Sequence, residues 1–190
     1  VYGCSPLFIV TLERKLDFIL FLSAALYPYV NQARTDYGCT PLYIAAQDGN
    51  LDMVRYLVGE AHAGVNQATT DDRTTPLFIA AQNSNLDVVR YLAGEAHADV
   101  NQARTDNGST PLYIAAQKDN LDMVRYLVGE AHADVNQATK NAGATPLCIA
   151  ALKGNLDVVR YLAGEAHADV NQATTDDGST PLHIAAQNGK

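Results

Sequence analysis

The tripeptide Thr-Pro-Leu stands at Thr40, Thr75, Thr110, Thr145 and Thr180, 35 residues apart each time, and Ser5-Pro6-Leu7 is a relaxed copy one period earlier. Other ladders keep the same step: Leu51, Leu86, Leu121 and Leu156; His62, His97, His132 and His167; Asn31, Asn66, Asn101, Asn136 and Asn171. A fixed period of this length constrains the fold more than any other feature. It calls for a row of like supersecondary units, each burying its apolar face against its neighbours. The units run at about 1–35, 36–70, 71–105, 106–140 and 141–175, with a half unit at 176–190, and read together as one repeat domain over 1–190.

Residues 36–70 show how one unit is built. Thr40-Pro41 is a helix start: the hydroxyl accepts from a first-turn N–H, and proline at the first helical position loses no hydrogen bond. Leu42 to Gln47 makes a short helix whose paired alanines allow close approach, and Gly49 suits a left-handed stop. Asn50 caps a second helix from Leu51 to about Gly59, with Leu51, Val54, Leu57 and Val58 on one face and an Asp52–Arg55 pair on the other. Val65-Asn66-Gln67-Ala68, with Tyr37-Gly38 of the turn, reads as an extended arm and a tight turn. Neither helix is long enough to stand alone, so stacking of units must supply the core.

These residues resemble the ankyrin repeat. The pattern stands most fully as Gly108-Ser109-Thr110-Pro111-Leu112, Ala115-Ala116, Leu121, Val124, Leu127 and Asp134-Val135-Asn136. The resemblance implies a mostly α solenoid of stacked helix-turn-helix units with short projecting β-hairpin turns. Two departures stand out. The family repeat has about 33 residues. The extra residues here fall at the end of helix two, in Gly-Glu-Ala-His, and in the hairpin. In addition, the histidine ladder takes the place of the family's helix-ending glycine, a position histidine tolerates at some cost.

The repeats also serve as their own comparison. Over the four full units from 36 to 175, 22 of 35 columns are identical and 13 vary. Ten of the 13 fall in the hairpin and helix one. In the ankyrin family those hairpin tips and the inner face of helix one form the concave partner-binding face, so the resemblance implies a partner-binding role for the varied residues. Drift at exposed positions is the alternative, but it would scatter equally over helix two, where Asp52, Arg55 and Glu60 recur unchanged. The expected partner-binding residues are Tyr37, Cys39, Gln47, Asp48, Asp72, Arg73, Gln82, Asn83, Asn107, Ser109, Gln117, Lys118, Leu152 and Lys153. Arg73 replaces the turn glycine found at Gly38, Gly108, Gly143 and Gly178, which points to a reshaped turn or to a contact with the partner. A second, 70-residue alternation of LDMVRYLV with LDVVRYLA reads as alternating core packing.

Other functions find little support. The net charge of −8 repels phosphate backbones, so nucleic acid is not the expected partner. No G-x-S-x-G, H-E-x-x-H or phosphate-binding glycine loop is present, so no catalytic residue and no cofactor are expected. Stacked helices lie roughly 8–10 Å apart, too far for neighbouring ladder histidines to share a zinc ion, so no metal is expected either. His183 reads as a local hydrogen-bonding residue beside Thr180-Pro181. The odd set Cys4, Cys39 and Cys148 suits free thiols in a reducing compartment, the cytoplasm, with the nucleus left open. The most apolar stretch, Phe18 to Tyr29, is too short to span a bilayer, so membrane insertion is not expected.

The first repeat carries unusual apolar residues, among them Leu12, Leu20, Phe21, Leu26 and Tyr27, and the half repeat lacks a second helix to cover Val159 or Leu162. This points to end-to-end self-association through residues 1–35 or the C-terminal end, or to a chain that continues in the intact protein. The expected function is non-catalytic recognition of a partner protein whose identity the sequence does not give. Two other classes stay open: a targeting or regulatory domain cut from a larger enzyme or channel, and an architectural or engineered scaffold.

Overall fold

The computed structural model describes residues 29–33 and 37–190. Most of the first repeat, with Cys4, Leu12, Leu20, Phe21, Leu26 and Tyr27, lies outside the described residues, as does Asp36. The expectations placed there, including end-to-end contact through residues 1–35, lie outside them too.

Each first helix begins as the sequence requires. In α1 (Pro41–Gln47) the Thr40 hydroxyl accepts from the Tyr43 N–H at 3.1 Å. Thr75 and Thr110 do the same for α3 (Pro76–Gln82) and α5 (Pro111–Gln117), at 3.1 Å each. Thr145 caps α7 (Pro146–Lys153) at 3.2 Å, and Thr180 caps α9 (Pro181–Gln187) at 3.4 Å. Such caps contribute about 1 kcal/mol each. The second helices are α2 (Leu51–Arg55), α4 (Leu86–Arg90), α6 (Leu121–Gly129) and α8 (Leu156–Arg160). Asn50 and Asn120 cap α2 and α6 through their side-chain oxygens, at 3.1 Å each. The equivalent Asn85 and Asn155 do something else. Their amide groups donate to carbonyls at the end of the preceding repeat's first helix: Asn85 to Ala46 at 2.9 Å, Asn155 to Ala116 at 2.7 Å.

The extra residue of helix two is absorbed as a π-turn. After α2, α4 and α8 the chain widens through Tyr56–Glu60, Tyr91–Glu95 and Tyr161–Glu165. The Ala61 N–H bonds to the carbonyl five residues back, Tyr56 O at 3.0 Å, and even α6 ends with Ala131 N–H on Tyr126 O at 3.0 Å. One inserted residue widens the last turn and leaves the apolar face in register. The histidine ladder follows: His62, His97, His132 and His167 have φ between 54° and 57°. Histidine therefore fills a left-handed stop where glycine would be unstrained.

The described residues group into two compact units, one comprising those up to residue 99 and the other 100–190. In the first, α1 packs on α2 of its own repeat and on α3 of the next, α3 packs on α4, and α2 on α4. In the second, α5 packs on α6 and α7, α7 on α8 and α9, and α6 on α8. The core of each consists of repeat-equivalent positions. Leu42 and Leu77 in the first unit and Leu112 in the second are each 1% exposed. Met53, Val88, Met123 and Val158 are all buried, so the 70-residue alternation at this column is core packing. Among the described residues no buried side-chain nitrogen or oxygen lacks a partner. This mostly α architecture, with neighbouring helices stacked repeat on repeat, is that of an ankyrin-repeat solenoid.

The projecting arms are hairpin turns closed by one or two backbone bonds rather than ladders; Gly108 N–H also reaches Arg104 O and Gly143 N–H reaches Thr139 O. Thr69 N–H reaches Thr74 O, Arg104 N–H reaches Ser109 O, Thr139 N–H reaches Ala144 O and Thr174 N–H reaches Ser179 O, all at 3.0 Å. Among the described residues none of them extends into a strand.

Candidate partner-binding surface

In the first unit the arm at 69–74 is organised by Asp72. Its Oδ1 accepts from the Thr69 hydroxyl at 2.7 Å, the Thr74 hydroxyl at 2.7 Å and the Thr74 N–H at 3.1 Å. Asp72 is therefore a turn-forming residue that is only half-exposed. Arg73 follows it at φ 60°, close to the glycines at the same column, which run from 65° at Gly143 to 77° at Gly108. The turn is not reshaped around the arginine. It keeps its left-handed residue and carries the strain of a Cβ there, with the Arg73 side chain exposed. Tyr37 stands out from the preceding arm at 61% exposure, while Cys39 is half-buried. Gly38 shows why glycine recurs: a Cβ on it would lie 2.6 Å from the backbone nitrogen of Thr70.

Gln47 and Asp48 end α1 on the surface. Gln82 is half-buried at the end of α3, and Asn83 is exposed, but its amide group donates to Gln47 O at 2.9 Å. This varied column thus carries an inter-repeat bond as well as a surface group.

In the second unit Asn107 Oδ1 accepts from the Ser109 N–H at 2.8 Å, and Asn107 O receives the Lys140 N–H of the next arm at 2.9 Å. The same arm-to-arm bond recurs between Thr175 N–H and Ala142 O at 2.8 Å. Ser109 is 5% exposed. It lies on the returning limb of the arm, where its carbonyl accepts from the Arg104 N–H, and its side chain is covered, as are those of Thr74 and Ser179. Gln117 is half-buried; Lys118, Leu152 and Lys153 are exposed.

Beside Leu152 lies a cavity of about 230 Å³ walled by Tyr113, Cys148, Ile184, Asp177 and Ser179. Burial, with Cys148 adding to it, pushes the Tyr113 hydroxyl above its ordinary range, so it remains a protonated hydrogen-bonding group. Cys148 is a buried free thiol that receives the Thr145 hydroxyl at 3.3 Å. The Thr174 hydroxyl and Ser179 hold the Asp177 carboxyl below the usual carboxylate range. Tyr113 and Asp177 were not among the expected residues. Their signal was present, since the column of Tyr113 varies between repeats and Asp177 repeats the place of Asp72.

The Arg55–Asp52 pairing does not form. Arg55 reaches into the next repeat, to Glu95 at 3.3 Å with its guanidinium 4.8 Å from the Tyr91 ring centre. Arg125 repeats this with Glu165 and Tyr161 in the second unit. His183 contributes only its backbone N–H to Thr180; its side chain is exposed. Among the described residues no three metal-ligating side chains converge, and no helix is long and apolar enough to cross a membrane.

Comparison with protein families matches a model described as ankyrin repeats (3 copies) to the overlapping stretches 61–139, 96–174 and 131–190, and a single ankyrin repeat to 37–70. The chain belongs to the ankyrin repeat family. Ankyrin repeats are in general non-catalytic protein–protein interaction modules, and this chain has their cap, arm and stacking chemistry in each described repeat. A search of curated proteins finds no match to the chain.

Proposed function

We propose that residues 1–190 form one repeat domain that recognises a partner protein, without catalysing a reaction, through its hairpin tips and the arm-side face of its first helices. The observation that carries this reading is where the repeats differ. Ten of the 13 varying columns fall in the arm and helix one. Within those columns Tyr37, Gln47, Asp48, Arg73, Asn83, Lys118, Leu152 and Lys153 have exposed side chains. Helix two also exposes Asp52, Arg55 and Glu60, yet repeats them unchanged. The bonds made by Asp72 and Asn107 suit a supporting role that sets the tips, and Ser109 is left out of the contact set. The surface mixes Asp48 with Arg73 in one unit and carries Lys118 and Lys153 in the other, which suits a partner of mixed charge. The odd set of three cysteines, with no C-x-x-C, supports a reducing compartment such as the cytoplasm.

The test is paired capture. One variant replaces Tyr37, Gln47, Asp48, Arg73, Lys118 and Lys153; a second replaces Asp52, Arg55, Asp87 and Arg90. The reading expects a captured partner to be lost with the first variant and retained with the second. The reverse pattern would sink it.

A further inference from the structure

The cavity beside Leu152 sits where one repeat departs from the others at several columns together. Repeat 141–175 places its smaller or more apolar residues there. Ala142 stands where the other described repeats carry Tyr37, Asp72, Asn107 and Asp177, and Ala144 stands in a column of hydroxyl and thiol side chains. Cys148 takes the place of the rings of Tyr43, Phe78, Tyr113 and His183, and Leu152 that of Gln47, Gln82, Gln117 and Gln187. The missing ring leaves a hollow, and the leucine makes its wall apolar.

The hollow lies on the side of the first helices that stacking leaves open. Lys118 and Leu152 stay exposed although another repeat follows each, whereas Leu112 and Leu147, on the stacking side, are 1% and 2% exposed. α9 gives Ile184 to the hollow, while Leu182 lines a separate cavity where Val159 is half-buried. Leu162, expected to lie open there, is fully buried.

The chemistry of the hollow lacks one partner. Ile149, Leu152 and Ile184 supply apolar wall, Tyr113 supplies a ring, and the exposed Asp176 and Asp177 supply two carboxylates, but no described Lys or Arg lines it. Asp177 Oδ1 accepts from the Thr174 hydroxyl at 2.7 Å and the Ser179 N–H at 3.0 Å, and Asp176 Oδ1 accepts from the Asp177 N–H at 2.9 Å. The Oδ2 atoms take none of these bonds. Elsewhere the molecule completes a tyrosine and a carboxylate with an arginine: Arg55 lies on the Tyr91 ring and reaches Glu95, and Arg125 does the same with Tyr161 and Glu165. At about 230 Å³ the hollow is smaller than the usual small-molecule pocket and suits a single long side chain.

We propose that this hollow is the anchor of the partner-binding face and takes one arginine of the partner protein. The stem of that arginine packs against Ile149, Leu152 and Ile184, and its guanidinium meets the Asp177 carboxylate with the Tyr113 ring beside it. The proposal rests on the arm-side reading of the function and names the residue type that the face selects.

The probe is N-acetyl-arginine amide, titrated into the full chain and followed through the methyl signals of Ile149, Leu152 and Ile184. One side chain binds weakly, so saturation is expected in the millimolar range. N-acetyl-citrulline amide keeps the shape and loses the charge, and should bind about three- to tenfold more weakly. Asp177→Asn keeps the turn, since Asn107 forms it at the same column, and should weaken the arginine probe by about the same factor. Cys148→Tyr restores the ring of the column and should abolish binding in a chain that circular dichroism shows to be folded. Leu152→Gln, an exposed change to the residue of the other repeats, should weaken binding about two- to fivefold and reads the hollow even where the new ring disturbs packing. No saturable shift with the wild-type chain, equal affinity for the citrulline analogue, or undiminished binding to a folded Cys148→Tyr chain overturns the proposal. So does tighter binding of N-acetyl-tyrosine amide that Asp177→Asn does not weaken, because the occupant would then be a ring. Failure of the titration leaves the arm-side reading standing, because none of the residues changed in the paired capture lines the hollow.

Discussion

Leu147 and Leu182 have the same residue type, the same place in the repeat and the same helix start, yet one is buried and the other is the most exposed large apolar side chain described. The local structure is nearly indifferent to this difference. α9 forms with its threonine cap and proline start, as α7 does. What separates them is the neighbour: α8 and α9 lie against α7, while the far side of α9 is open. In this fold the sequence of a repeat specifies its helices, and the next repeat supplies most of their stability.

Truncation should break this pair apart most strongly. Leu147→Ala should cost about 2–5 kcal/mol, and Leu182→Ala should stay within about 0.5 kcal/mol, in urea unfolding. Comparable losses at the two sites would contradict the role given to the neighbour.

The turn glycines sharpen the same contrast. Gly108 and Gly178 share left-handed φ values of 77° and 69°. A Cβ at Gly108 would stand 2.6 Å from the Lys140 nitrogen, while at Gly178 it would meet nothing within 4 Å. Alanine should therefore cost about 1–2 kcal/mol of strain at Gly178 and more at Gly108, where the next arm must also move. Arg73→Gly tests the strain from the other direction. It should stabilise the chain by roughly 0.5–1 kcal/mol, through relief of the left-handed Cβ partly offset by glycine's greater unfolded entropy. A destabilised Arg73→Gly would mean that the arginine side chain holds the arm.

Much of this architecture is legible in the amino-acid sequence. Thr-Pro starts, glycine stops and the arm composition each name a local conformation that any neighbour would tolerate. The left-handed histidines are legible too, because the ladder occupies a glycine place. What escapes the sequence is decided between repeats. Asp52 is the opposite charge that helical spacing offers Arg55, but Glu95 and Tyr91 of the next repeat offer both a carboxylate and a ring face. Asn85 and Asn155 forgo their caps for carbonyls 39 residues back. The place of the extra residue in helix two can be counted, but its π-turn form depends on keeping Leu57 and its equivalents in the shared core. Among the surface residues, the helix-one ends are legible as exposed; the burial of Ser109 is not, since variation alone does not separate a tip from the limb beneath it.

The smallest expected effect is at Asp177. Its folded pKa lies below the unfolded value, so the bonds from Thr174 and Ser179 contribute fully at neutral pH, above the unfolded value, and begin to be lost once pH enters the ordinary carboxylate range. They are lost as pH falls through the lowered folded value. The amide signals of Ser179 should report a titration below that of a free aspartate, and Asp177→Asn should remove it.

The central claim is that the columns that differ between repeats are the ones that meet the partner. Hydrogen–deuterium exchange on the chain with and without its captured partner tests it most directly. The account predicts new protection at the arm tips around Tyr37, Arg73 and Asn107, and at the helix-one ends Gln47–Asp48, Lys118 and Leu152–Lys153. It predicts unchanged exchange along the outer faces of α2, α4 and α6. Protection confined to the second helices, around Asp52, Arg55, Asp87 and Arg90, would contradict it.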